Sequence, residues 1–309
     1  MTNVGFAVPD DTVLVADGGL ATELEARGAD LSDPLWSARL LVEHPEEIAA
    51  VHAAFFAAGA QIATTASYQA SFDGFAARGI DRRAADGLLR RSVSLARQAC
   101  GDAPSRWVAA SVGPYGAARA DGSEYVGRYG LSIAQLSSWH RPRLEVLAGA
   151  GADLLALETV PDLDEAAALV GLVQEANVPA WLSYTIDGTA TRARQPLAEA
   201  FAVAAGVPQI VAVGVNCCAP DDVLPAIEIA AEVTGKPVVA YPNSGESWSA
   251  GGWAGPARFS PELVPRWVAA GARIVGGCCR VRPADIAAMA AALRRTCTQR
   301  ENPAGGNSR

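Results

Sequence analysis

The chain has 309 residues, half of them hydrophobic, with 25 basic against 33 acidic side chains. That is enough apolar material for one large core, and barrels of alternating strands and helices reach this length as a single domain. The net charge of −8 comes with no basic patch for nucleic acid, and no run of about 18 or more apolar residues offers a membrane span. Met1 to Asp11 lacks a basic and then apolar leader pattern. The expectation is a cytoplasmic protein acting on small molecules, a monomer or small homo-oligomer, with its six cysteines reduced.

In chain order, Thr12–Ala16 is an apolar run ending in Asp17-Gly18-Gly19, a first strand and a glycine turn. Leu20–Arg27 reads as helical, and Asp33 to Ser37, with Trp36, as a loop. Pro45–Ala58 carries a helix-start proline, an acidic first turn and a closing Gly59. Strands follow at Gln61–Ala66 and Trp107–Val112, separated by the amphipathic helix Arg82–Cys100. After helix Ser132–Ala150 the alternation continues: strand Asp153–Leu157, helix Asp164–Glu175, strand Ala180–Thr185, helix Leu197–Ala205, strand Ile210–Val215, helix Asp221–Val233. Strand Pro237–Tyr241, a loop with Trp248 and Trp253 that reads equally as lid or anchor, helix Ser260–Ala270, strand Arg273–Val275 and helix Pro283–Arg295 complete it.

Eight strands alternating with helices imply parallel pairing through helical crossovers, and eight units point to a closed (β/α)8 TIM barrel. The expected division is one domain over residues 1–296 and a disordered polar tail over 297–309. The strands are rich in Val, Ile and Ala with little alternation, as strands covered on both faces should be.

Two cysteine pairs stand at strand ends. Gly214-Val215-Asn216-Cys217-Cys218 closes the sixth, and Gly276-Gly277-Cys278-Cys279 closes the eighth. In such a barrel the C-terminal strand ends converge on one mouth. Thiolates from two strand ends describe a zinc site, and three of them leave a tetrahedral ion one position for a substrate. Side chains of neighbouring strand residues point to opposite faces, so only one of Cys217 and Cys218 should face the lumen. Three thiolates around Zn2+ carry −1, and a substrate thiolate makes this −2, which favours attack on a cationic donor. Asp17 and Glu158, also at strand ends, suit an ammonium group, and the Gly18-Gly19 turn can offer N–H groups to a carboxylate. The implied substrate is an amino acid bearing a thiol. A zinc hydrolase and a thiol redox sensor are the other readings of a cysteine-lined barrel mouth.

Asp17-Gly18-Gly19, Glu158-Thr159 with Pro161, GVNC at 214–217 and GGCC at 276–279 together resemble the homocysteine S-methyltransferase family over nearly the whole chain. The resemblance implies a (β/α)8 barrel and zinc held by Cys217, Cys278 and Cys279, with Cys218 an extra thiol outside the motif. It implies Asp17 and Glu158 at the homocysteine ammonium, Gly18 near its carboxylate, and Trp36 and Tyr68 on the donor side. The stretches around Tyr68 and Asn243 are similar to members using S-methylmethionine. A sulfonium donor, S-methylmethionine ahead of S-adenosylmethionine, is therefore expected over betaine. Cys100, His44, His52 and His140 lie in or beside helices and read as structural, and Cys297 as incidental.

Overall fold

The computed structural model describes residues 6–9, 12–33, 35–249 and 252–301. Its frame is eight parallel strands: β1 (Leu14–Val15), β2 (Ile62–Thr64), β3 (Trp107–Val112), β4 (Leu154–Val160), β5 (Ala180–Tyr184), β6 (Ile210–Asn216), β7 (Val238–Tyr241) and β8 (Ala272–Val275). Hydrogen-bonded neighbours run β1-β8-β7-β6-β5-β4-β3-β2. The ring closes through a parallel bridge between Ala16 and Ile62, where Gln61 N donates to Val15 O and Asp17 N to Ile62 O, at 2.6 and 2.9 Å. The expected (β/α)8 barrel is the observed fold.

The crossovers are α1 (Leu20–Ala26) and α2 (Pro45–Ala57), then one helix per unit: α3 (Arg82–Cys100), α4 (Ile133–Ala148), α5 (Leu163–Ala176), α6 (Leu197–Ala202), α7 (Val223–Thr234), α8 (Val264–Ala270) and α9 (Pro283–Glu301). Their starts follow from local chemistry. The Asp81 carboxylate accepts Ala84 N at 2.8 Å ahead of α3, and Ser132 and Gln135 form a reciprocal capping box at α4. Pro45 sets the first turn of α2, with Glu46 and Glu47 beside its N-terminal dipole.

The strands carry little polar–apolar alternation because they alternate between two apolar compartments. Val108, Ala110 and Val112 of β3 face outward into the layer under the helices, while Ala109 faces the lumen. Leu14, Ile62, Leu154, Trp181, Val239 and Ile274 fill the lumen. Phe6 packs edge-on to Trp107, at the start of β3, with ring centroids 5.7 Å apart. Each such buried side chain removes enough apolar surface to stabilise the fold by about 1.5–3 kcal/mol.

The differences from the sequence reading lie in the connections. Short helices at Phe72–Ala76 and Tyr115–Arg119, a 3-10 turn at Trp36–Arg39 running into helix Leu40–Glu43, and hairpins Ile186–Asp187/Ala190–Thr191 and Ser247–Ser249/Gly252–Ala254 occupy stretches read as loops or given no element. Elements this short display no measurable period in the sequence. Helix α9 runs to Glu301, past the expected end at Arg295 and into the stretch expected as tail. Among the described residues no helix is long and apolar enough to cross a membrane.

Candidate active site and metal centre

The C-terminal ends of the strands bring three sulfurs together. Cys217 Sγ lies 2.8 Å from Cys278 Sγ and 3.8 Å from Cys279 Sγ, and all three lie within 4.8 Å of one another. Cys218 points the other way, into the outer core, where burial pushes its thiol up. Only one cysteine of that pair faces the lumen, but simple alternation does not choose it. Val215 faces outward and Asn216 meets inward-facing Ser183, so strict alternation would send Cys217 out and Cys218 in. The chain instead turns left-handed at Cys217, with φ +50°, which redirects its sulfur to the mouth. A non-glycine residue in that region costs on the order of 1–3 kcal/mol and persists where surrounding bonds hold it. Cys217 N donates to Tyr241 O at 3.4 Å, and Thr185 Oγ1 donates to Cys217 O at 3.1 Å.

The second arm of the cluster is held as tightly. Cys278 N donates to Pro242 O at 2.8 Å, and Cys279 N to Asn243 Oδ1 at 3.1 Å. Asn243, expected at the substrate, thus braces the loop that carries two of the three thiols. Gly277 N donates to Asp17 O and Gly19 N to Val281 O, at 3.0 and 2.9 Å, so the first and last loops of the barrel lie flush. A Cβ on Gly18 would come 2.5 Å from Val281 O, and one on Gly277 would come 2.1 Å from a Val281 methyl. Close backbone approach requires these glycines. The N–H of Gly19 is consumed by that contact and is not available to a substrate carboxylate.

Beside the sulfurs stand two buried carboxylates. Asp17, 4 % exposed, accepts from Thr64 N at 2.8 Å and Thr64 Oγ1 at 2.9 Å. Glu158, 7 % exposed, accepts from Ser111 Oγ on one oxygen and from Tyr241 Oη, at 3.1 Å, on the other. Tyr241 Oη is itself fixed by Trp181 Nε1 at 3.0 Å. Burial raises both acids against the hydrogen bonds they accept, Asp17 to about 8, with the Glu158 charge adding to it, and Glu158 to about 7, with the Cys217 charge adding to it. Acids raised in this way are stabilised in their ionised form by a neighbouring cation.

Tyr68 stands near the same charges, its phenol pushed up by burial, then by Cys217 and Glu124. Trp36 begins the 3-10 turn Trp36–Arg39, and its side chain lies outside the described residues. Thr64, Ser111, Asn216, Tyr241 and Tyr125 complete the site; Asn216 lies in the GVNC motif, but none of the five was given a role from the sequence. Asn216 ties β4, β5 and β6 together, accepting Thr159 N and Ser183 Oγ, both at 2.7 Å, and donating to Thr159 Oγ1 at 2.7 Å. Tyr125 places its hydroxyl 3.8 Å from Cys217 Sγ. Its only sequence signal was an aromatic in a polar loop. His140, read as structural, bonds Glu165 at 2.8 Å.

Three soft thiol donors, with no fourth ligand in the cluster among the described residues, fit a thiophilic ion such as zinc. Zinc–sulfur bonds of about 2.3 Å space tetrahedral sulfurs roughly 3.8 Å apart; the Cys217–Cys279 pair is already at 3.8 Å, and Cys278 would have to move off Cys217.

Residues 14–293 match the sequence profile of homocysteine S-methyltransferase. The chain belongs to this family. It is 47 % identical over 299 residues to a homocysteine S-methyltransferase of Escherichia coli (strain K12), covering 90 % of this chain and 94 % of that one. It is 46 % identical to homocysteine S-methyltransferase 4 of Zea mays, over 94 % of this chain and 92 % of the relative. The crystal structure of the homocysteine methyltransferase MmuM from E. coli in its metallated form superposes with a TM-score of 0.82 at 45 % identity, covering 91 % of this chain and 96 % of that chain. The protein is a methyltransferase of the (β/α)8 class.

Proposed function

We propose that the protein transfers a methyl group from a sulfonium donor to the thiol of homocysteine, giving methionine, with zinc held by Cys217, Cys278 and Cys279. The observation that carries this is the juxtaposition of three thiols within 4.8 Å and two buried carboxylates raised to about 7 and about 8. Thiol donors and an ammonium site at one barrel mouth match an amino acid bearing sulfur. Zinc there would hold the substrate sulfur as a thiolate near neutral pH.

The chain's own groups do the rest. Asp17 and Glu158 receive the homocysteine ammonium, and binding it shifts both acids to their ionised forms. Thr64, Ser111 and Tyr241 keep the carboxylate oxygens aimed at it. Asn216 and Asn243 fix the loops that carry the cysteines. In the transfer, the homocysteine sulfur forms a bond to the methyl carbon as the donor's carbon–sulfur bond breaks. The electron pair of that bond stays on the donor sulfur, which leaves as a neutral thioether. The excess negative charge of the loaded thiol site favours a cationic donor over a neutral one. S-methylmethionine is the preferred donor, since its compact cation needs no nucleoside pocket. The reduced thiols suit a cytoplasmic setting.

The test is methionine formation from homocysteine with S-methylmethionine, S-adenosylmethionine or betaine, with zinc content measured in parallel. Turnover with S-methylmethionine above the other two supports the reading. Faster turnover with betaine contradicts the donor assignment, and no methionine with any of them contradicts the reaction.

A further inference from the structure

Over the thiol cluster lies the 3-10 turn Ser123–Tyr125. Its place is fixed from behind: a Cβ on Gly116 would lie 2.4 Å from Glu124 N and 2.8 Å from Glu124 Cα, so only glycine lets the turn sit this low on the helix Tyr115–Arg119. Tyr125 reaches down to Cys217 Sγ, 3.8 Å away. Two charged side chains stand by it. Glu124 precedes it in the chain, and the Arg192 guanidinium, from the segment after β5, lies 5.9 Å from the Tyr125 ring centroid. Glu124 Oε2 and Arg192 Nε are both buried, and neither has a hydrogen-bond partner among the described residues. Burial, then the charges of Cys217 and Asp121, push the Glu124 carboxyl up.

A buried carboxylate oxygen and a buried guanidinium nitrogen without partners are costly unless something completes them. The homocysteine ammonium does not need Glu124, because Asp17 and Glu158 are the acids assigned to it. Glu124, like Glu158, helps push up the phenol of Tyr68. The second substrate must approach the sulfurs from the side that Asp17 and Glu158 do not occupy. Tyr125 stands against Cys217, with Arg192 at its ring and Glu124 next to it in the chain. Aromatic faces and a carboxylate attract a cation, and a guanidinium selects a carboxylate.

We propose that Glu124 and Arg192, beside Tyr125, form the methyl-donor subsite, Glu124 reading the positive charge of the donor and Arg192 its carboxylate. The pair matches the sulfonium and the carboxylate of the S-methylmethionine already proposed as donor. This deepens the reading of the site as a homocysteine methyltransferase and rests on it.

The test uses the zinc-loaded full chain with Glu124→Gln, Glu124→Asp and Arg192→Gln. Steady-state rates are taken with S-methylmethionine varied at saturating homocysteine, then with homocysteine varied at saturating donor. Loss of a charged contact should raise the donor KM about 10-fold or more in Glu124→Gln and Arg192→Gln. Glu124→Asp should recover part of that loss. The homocysteine KM, the zinc content and the thermal shift induced by homocysteine should stay at wild-type values. With trimethylsulfonium, which has no carboxylate, Arg192→Gln should lose nothing relative to wild type while Glu124→Gln still does. An unchanged donor KM in both neutral variants, or a rise confined to homocysteine, would overturn the subsite while leaving the reaction standing. No methionine from the wild type with any donor would overturn the reaction, and the subsite with it.

Discussion

The two ends of the barrel lumen contrast in chemistry and in stability. Toward the starts of the strands it is filled by Leu14, Ile62, Leu154 and Ile274, and every contact there favours folding. Toward the strand ends it holds Asp17, Glu158, Asn216 and a left-handed Cys217, and several of these features disfavour the ligand-free fold. The acids are buried with pKa values near 8 and 7, and the Cys217 backbone is strained. One end supplies the stability that the other end uses to hold groups ready for a ligand. Side chains at the strand starts therefore bear on stability alone, and those at the strand ends on binding as well.

The largest effect expected is at the sulfurs. Cys217→Ala should abolish zinc binding and methyl transfer, whereas Cys218→Ala, in the outer core, should keep most of both. Metal analysis and methionine assays on the two purified variants check this; loss of metal from Cys218→Ala alone would break the assignment. Next is the apolar end. Leu154→Ala, removing a side chain 2 % exposed, should cost about 2–5 kcal/mol in urea unfolding while leaving the homocysteine KM unchanged. A changed KM would mean that the two ends are coupled.

Smaller effects are expected at the polar end. Asp17→Asn and Glu158→Gln each remove one charged contact to an ammonium, a loss of about 1.5–3 kcal/mol, so homocysteine affinity should fall roughly 10- to 150-fold with zinc retained. Titration calorimetry on the zinc-loaded variants measures it, and wild-type affinity in both would remove these acids from the site. The smallest is Asn243→Ala. It takes away one hydrogen bond to Cys279 N, which should cost about 1 kcal/mol of stability in urea unfolding. No loss, or a loss of several kcal/mol, would show that this brace is misassigned.

The apolar half of this comparison was legible in the sequence, because eight strand-like runs alternating with helices leave a closed parallel barrel as the simplest solution. At the polar end the sulfurs and the two acids were legible too, since Cys, Asp and Glu at strand ends are unusual and conspicuous. Their supports were not. Thr64, Ser111 and Tyr241 are ordinary strand residues until folding places them against Asp17 and Glu158. Nor could period-two reasoning choose between Cys217 and Cys218, because one left-handed residue reverses the outcome. Glu124 and Arg192 sit in polar loops, where sequence carries no period at all, and Asn243 proved to brace the cysteine loop.

On the proposed function, the mouth keeps Asp17 and Glu158 buried at the expense of stability until an ammonium arrives. A raised carboxyl pKa favours the folded state below the unfolded value, near 4, and loses that contribution as pH rises through about 7 for Glu158 and about 8 for Asp17. The most direct measurement is thermal unfolding of the zinc-loaded wild type and Glu158→Gln from pH 5 to 9, with and without homocysteine. Without homocysteine, Glu158→Gln should gain stability relative to wild type as pH rises toward about 7 and hold that gain above it; with homocysteine the gain should vanish or reverse. A Glu158→Gln protein less stable than wild type at every pH, with an undiminished thermal shift on adding homocysteine, would contradict the account.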